Sequence, residues 1–118
     1  KNGNLEFIVG TRGGRYQPQL LIQTILPYIQ NSDSFEEIIK QPRWVIENFF
    51  NDTKSNLRFE KINNVDLEIL LQKGHRVEVE NKYKKAYGPI SIIYKKDDGN
   101  FEGVCDVRVG TEKVFNSF

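Results

Sequence analysis

The segment best suited to chemistry is Gly10-Thr11-Arg12-Gly13-Gly14-Arg15, which puts three glycines within five residues directly after an apolar run. Paired glycines accept positive φ, so successive backbone N–H groups can turn toward one anion. Their missing side chains let an oxygen atom approach closely. Such a nest binds a phosphate, a carboxylate or the oxyanion that develops when a carbonyl is attacked. The same spacing also suits a plain tight connection between a strand and a helix. It matches neither the dinucleotide-binding glycine fingerprint nor a P-loop, because no Gly-Lys-Ser/Thr follows. Thr11 either hydrogen-bonds the loop through its hydroxyl or simply fits an extended turn. It cannot act as an N-terminal nucleophile as placed, because Lys1 to Gly10 precede it.

Other reactive residue types are sparse. His75 is the only histidine and Cys105 the only cysteine. With no clustered carboxylates beside them, no metal site, no cofactor and no internal disulfide are expected. His75 falls at a helix–strand junction, where a surface or capping role is expected. Cys105 lies among apolar strand residues and reads as a buried, inert thiol. Arg43 and the pair Asp106/Arg108 are expected to form ion pairs that fix loops near the glycine segment, adding little stability if exposed. Lys82, Lys84 and Lys85 with Tyr83 and Tyr87 form a small basic-aromatic cluster, read as a solvated loop rather than a nucleic-acid surface.

These residues need elements to position them. Leu5 to Val9 reads as a strand that the glycines then break. Pro18 suits the first turn of a helix carrying Leu20, Leu21, Ile22, Ile25, Leu26 and Ile29. The apolar arc is wide enough for burial on most sides, and Pro27 kinks the helix or marks its last turn. Ser34 and Glu37 form a capping box for a short helix from Phe35 to Lys40, stopped by Pro42. Arg43 to Phe50 reads as extended, Asn51-Asp52-Thr53 as a turn, and Leu57 to Glu60 as a short strand. Asn63 or Asn64 caps a helix that ends at a left-handed Gly74. Val77 and Val79 alternate with Arg76, Glu78 and Glu80, as in a half-exposed strand. Pro89 to Tyr94 and Phe101 to Cys105 form a hairpin around Asp97-Asp98-Gly99-Asn100. The tail after Arg108 reads as irregular. This order predicts an α+β fold with an antiparallel sheet and packed helices.

The 118 residues, 38% hydrophobic and 28% charged, fit one globular domain or a large part of one. A net charge of +1 implies no polyanion partner, so no nucleic acid is expected. No apolar run is long enough to insert into a membrane. The chain contains no methionine and opens on Lys1-Asn2-Gly3-Asn4, a hairpin-turn signal with no strand before it. It therefore reads as a single, incomplete domain, residues 1–118, of a longer or processed protein.

Four segments in order then carry a resemblance. They are Gly10-Thr11-Arg12-Gly13-Gly14, Gln41-Pro42-Arg43-Trp44, Lys73-Gly74-His75-Arg76-Val77 and Gly103-Val104-Cys105-Asp106-Val107-Arg108. Together they resemble the C-terminal part of the small subunit of the γ-glutamyltranspeptidase family. That family has a glycine-serine/threonine-proline-glycine-glycine loop, an apolar helix, an alanine-proline-arginine-aromatic stop, a lysine-glycine-histidine-x-valine stretch and a late glycine-x-x-aspartate-proline-arginine segment. The likeness runs over nearly the whole chain. Arg12 and Val107 stand where the family usually has proline. Arg12 changes the rigidity of the loop or adds positive charge near an anionic substrate.

The resemblance implies part of a four-layer αββα N-terminal nucleophile hydrolase fold. A precursor cleaves itself into a large and a small subunit, and the new N-terminal threonine attacks a γ-glutamyl amide with its own amine as base. Within this chain it assigns the oxyanion-hole N–H groups to Gly13 and Gly14, with Thr11 and Arg12 in substrate binding or loop support. The nucleophile and the residues that grip the glutamate head group are not among the 118. The expected partners are the remainder of the small subunit, the large subunit and a small γ-glutamyl substrate such as glutathione. The chain alone is expected to be inactive. A catalytically inactive binding or assembly module, and a simple anion-binding domain, are the competing readings.

Overall fold

The computed structural model describes residues 3–31, 33–47, 55–80 and 87–109. The expected turn at Asn51-Asp52-Thr53, the extended run beyond Glu47, the lysines Lys82, Lys84 and Lys85, and the tail from Gly110 lie outside these. Strand β1 spans Phe7–Thr11, so the glycine segment does not break it at once: Gly10 and Thr11 still pair, Thr11 opposite Ile90. A 3-10 turn at Gly14–Tyr16 leads into helix α1, Gln17–Asn31, with Pro18 in its first turn. The helix continues past Pro27 to Asn31, although that proline cannot donate to the Gln23 carbonyl.

Helix α2 covers only Phe35–Ile38, two residues shorter than expected. Its capping box forms as read: Glu37 N–H donates to Ser34 Oγ, and Ser34 N–H donates to the Glu37 carboxylate. Strands β2 (Trp44–Glu47) and β3 (Asn56–Phe59) follow, then α3 (Asn64–Gln72), β4 (Arg76–Val79), β5 (Ile90–Lys95) and β6 (Phe101–Cys105). Asn63 caps α3 by accepting from Asp66 N–H, and Gly74 takes φ +82° beyond its end.

Two three-stranded sheets result. The first, in the order β1-β5-β6, is antiparallel throughout. The second, β2-β3-β4, departs from the antiparallel expectation. There β3 and β4 run parallel, because α3 carries the chain back as a crossover between them. Helix α1 bonds the open edge of β2 with two amide side chains. Gln23 accepts from Trp44 N–H at 3.0 Å and donates to Trp44 C=O at 2.8 Å. One turn earlier Gln19 does the same with Ile46, at 2.7 and 3.1 Å. The two glutamines therefore satisfy a strand edge as a neighbouring strand would.

The core lies between the first sheet, α1 and α2, with Leu20, Phe35, Ile38, Val45, Ile90, Ile92 and Val104 buried. Tyr28 stacks on Phe35 at 4.2 Å between ring centroids, and Phe7 meets both edge-on. The opposite face of this sheet stays open: Ile8, its cross-strand partner Ile93, and Phe101 are each more than half exposed. Helix α1 is not buried on most sides. Ile22 is 54% and Ile29 65% exposed, because nothing among the described residues covers that stripe.

Candidate functional site

The glycine loop sits where β1 leaves the sheet. Gly13 has φ +145° and Gly14 φ +53°, so both occupy the region that disfavours side chains. A Cβ on Gly13 would meet Leu20 Cδ1 at 3.2 Å, whereas one on Gly14 would meet open space. The loop's carbonyls turn inward to start the helix: Tyr16 N–H donates to Gly13 C=O at 3.0 Å, and Gln17 N–H to Gly14 C=O. Among the described residues, no hydrogen bond uses the N–H of Gly13 or Gly14. Two adjacent donors are thus without an acceptor among the described residues.

The Thr11 side chain turns toward backbone carbonyls of the loop and of the segment before β5. Its hydroxyl lies 3.0 Å from Arg12 C=O, 3.1 Å from Pro89 C=O and 3.4 Å from Gly88 C=O. Arg12 N–H donates to Pro89 C=O at 3.3 Å, while the residue as a whole is exposed. On the far side of the loop, Arg15 and the Tyr16 hydroxyl both bond the Glu47 carboxylate at the end of β2. Arg58 on β3 donates to the same carboxylate at 3.1 Å and to Glu80. The Tyr16 hydrogen bond, then Arg58 and Arg15, hold the Glu47 pKa below its ordinary value against the opposing effect of burial.

Beneath the loop lies a buried cluster of four charges: Arg43, Glu60, Asp106 and Arg108, none more than 4% exposed. The ion pairs expected of Arg43 and of Asp106 with Arg108 both form, but in the interior rather than at the surface. Arg43 Nη2 donates to Asp106 at 2.5 Å, and its Nη1 donates to Gly88 C=O at 2.7 Å and Tyr87 C=O at 3.2 Å. Arg108 pairs side-on with Glu60 and donates to Ile39 C=O at 3.0 Å and Gln41 C=O at 3.1 Å. Burial pushes the Asp106 carboxyl up. The Arg43 charge, with the N–H groups of Arg108 and Ile90, outweighs it and leaves the pKa below its ordinary value.

Two expectations need correction. Tyr87 belongs to no solvated patch: it is 2% exposed, and burial pushes its hydroxyl up to about 12. Cys105 is half-buried rather than buried, since it ends β6 on the open side of the sheet. Arg43 directly precedes β2, and its carbonyl accepts from Glu60 N–H at 2.9 Å, which continues the β2–β3 pairing. His75 stands at the α3–β4 junction as read, and its backbone N–H donates to Leu70 C=O at 3.1 Å. Sequence reasoning missed Glu47, Glu60 and Gly88. A glutamate directly after an apolar strand and a glycine directly before Pro89 were the available signals. An open groove of about 910 Å³, lined by Pro42, Trp44, Phe59, Ile62, Ile69 and Leu70 among others, includes no residue of the glycine loop.

The sequence pattern of the γ-glutamyltranspeptidase family matches residues 1–115. The chain belongs to this family. It is 28% identical over 109 residues to the glutathione hydrolase-like proenzyme YwrD of Bacillus subtilis, covering 92% of this chain and 21% of that protein. It is equally 28% identical over 108 residues to the oxamate amidohydrolase proenzyme of Klebsiella pneumoniae, covering 91% of this chain and 20% of that protein. The chain therefore spans about a fifth of the length of these relatives. Among solved structures, the transpeptidase CapD of Bacillus anthracis superposes with a TM-score of 0.75 at 23% identity, over 93% of this chain and 65% of that one. A highly active mutant of γ-glutamyltranspeptidase from Pseudomonas nitroreducens gives 0.76 at 16% identity, over 99% and 59%. The fold is that of the N-terminal nucleophile hydrolases, of which this α+β chain forms a part.

Proposed function

We propose that this chain is the C-terminal portion of the small subunit of an amide-cleaving enzyme and that Gly13 and Gly14 supply its oxyanion hole. The observation that carries this reading is the pair of positive-φ glycines whose N–H groups have no acceptor among the described residues. The nucleophile is an N-terminal threonine supplied from outside the 118 residues, as the family resemblance implies. Its Oγ forms a bond to the substrate carbonyl carbon while its proton passes to the threonine α-amine. The carbonyl electron pair moves to oxygen, and Gly13 and Gly14 N–H receive that charge. When the C–N bond breaks, the departing amine takes the proton, and water or an amino acid then releases the acyl group from the threonine ester.

The substrate class is γ-glutamyl amides, glutathione among them. The two curated relatives match equally well but are named for different substrates, so amide hydrolysis is the firmer part of the reading. The open face at Ile8, Ile93 and Phe101 and the bare stripe at Ile22 and Ile29 fit a chain that packs against the rest of a precursor.

The test replaces the Gly14 N–H by an ester oxygen through α-hydroxy-acid incorporation into the full-length protein. Release of a γ-glutamyl anilide should fall by about 10²–10³ in kcat, the usual cost of one oxyanion donor. An unchanged kcat overturns the oxyanion role of this loop, whereas no anilide release by the unsubstituted full-length protein overturns the enzyme reading and leaves a non-catalytic binding or assembly module in its place.

A further inference from the structure

We infer that Arg43 and Gly88 are positioning residues that set the direction of the Gly13 N–H in the glycine loop. This rests on the oxyanion reading above. Arg43 and Gly88 lie 45 positions apart in sequence and 2.7 Å apart across a buried hydrogen bond, from Arg43 Nη1 to the Gly88 carbonyl. Gly88 in turn lies flat against the loop. With φ +57°, a Cβ there would stand 1.6 Å from the Arg12 carbonyl oxygen and 2.8 Å from its carbon. The Arg12 carbonyl therefore packs directly onto Gly88.

The peptide joining Arg12 to Gly13 is planar and trans, so its N–H points opposite to its C=O. With the Arg12 oxygen pressed against Gly88, the Gly13 N–H must face the other way, out of the core. The direction of that donor is thus set by how far the 87–88 backbone stands from the loop, and Arg43 sets that distance. Its planar fork reaches the Tyr87 and Gly88 carbonyls with one nitrogen and Asp106 with the other. A lysine has one nitrogen and cannot span both. Thr11 Oγ and Arg12 N–H, both against Pro89 C=O, close the same contact from the loop side.

A structural role alone would lower stability and leave the folded enzyme's turnover intact. A positioning role lowers kcat at constant KM, because misplacing a transition-state donor by about 1 Å costs on the order of 10²-fold. The experiment uses the full-length protein and γ-glutamyl anilide release, with melting temperature measured alongside. Arg43→Lys should lower kcat by about 10- to 100-fold with KM within about twofold. Arg108→Lys disturbs the same buried cluster but touches neither Gly88 nor the loop, so it should lower the melting temperature and spare kcat. If Arg43→Lys does not fold, Thr11→Val decides: it keeps the strand, removes a hydroxyl from the same contact and should lower kcat severalfold.

Retained kcat in folded Arg43→Lys, or in Thr11→Val where that variant decides, overturns the inference while the oxyanion reading stands. An equal kcat loss in Arg108→Lys also overturns it, as a purely structural effect. If the Gly14 ester leaves kcat unchanged, the oxyanion reading and this inference fall together.

Discussion

Asp106→Asn is the sharpest probe of the buried cluster. The Asp106 carboxylate accepts four N–H donors: Arg43 Nη2 and Ile90 N on one oxygen, Arg108 N and Arg108 Nη1 on the other. An asparagine has the same shape but one acceptor oxygen. Whichever way the amide turns, its NH2 faces two N–H donors, and the cluster changes from two positive and two negative charges to a net +1. Leaving a buried charge without its partner costs about 3–5 kcal/mol. That is a large share of the roughly 5–15 kcal/mol that holds a domain of this size. With a urea slope of about 1–3 kcal/mol per molar, the unfolding midpoint should drop by about 2 M. The single tryptophan, Trp44, reports the transition by fluorescence. The pH dependence follows from the depressed pKa of Asp106. Its stabilising effect is present above the unfolded carboxylate value of about 4 and is lost as pH falls through the lower folded value. Asp106→Asn should therefore be less acid-sensitive than the unsubstituted chain below about pH 4. A midpoint within about 0.3 M of the unsubstituted chain, a shift too small for any buried charge loss, would refute the argument.

Gln23→Leu removes both hydrogen bonds to Trp44 on the β2 edge and should lower stability by about 1–3 kcal/mol, read by the same urea titration. The chain on its own should bind a hydrophobic-surface dye through Ile22, Leu26 and Ile29, and Ile22→Gln with Ile29→Gln should weaken that signal without lowering the melting temperature. Tyr87, pushed up to about 12 by burial, should ionise well after an exposed tyrosine in an absorbance titration. Because its folded pKa lies above the unfolded value of about 10, stability should fall as pH rises from about 10 to 12, and Tyr87→Phe should flatten that fall.

What the sequence made legible was local. The Ser34 box, the Asn63 cap, the left-handed Gly74 and the hairpin at Asp97 to Asn100 each depend on residues a few positions apart, and each formed. The glycine pair was also readable, since positive φ at Gly13 and Gly14 is a property of those two residues. What stayed hidden depends on distant pairing. The parallel β3–β4 contact is set by how α3 packs, not by the pattern within either strand. The edge bonds of Gln19 and Gln23 look like ordinary polar helix positions until β2 lies beside them. Gly88 reads as a turn glycine until the Arg12 carbonyl is found against it. The stripe at Ile22, Leu26 and Ile29 was correctly apolar, but an apolar pattern does not say which molecule covers it.

The buried cluster also shows why charge, rather than hydrocarbon, sits beneath this loop. A buried ion pair can often be exchanged for apolar residues at little cost or with a gain. That exchange fails here because the guanidinium groups do more than neutralise carboxylates. Arg43 and Arg108 also donate to the carbonyls of Tyr87, Gly88, Ile39 and Gln41, all at chain turns that no strand or helix satisfies. Apolar replacements of both arginines would leave the three buried carbonyls, those of Tyr87, Gly88 and Ile39, without these donors at about 1–3 kcal/mol each. The cluster ties the α2–β2 connection, the approach to β5 and the segment after β6 to one point. The glycine loop rests on that point through the Arg12 carbonyl against Gly88 and the bonds of Thr11 and Arg12 to Pro89, so residues more than seventy positions away in sequence fix where the loop sits.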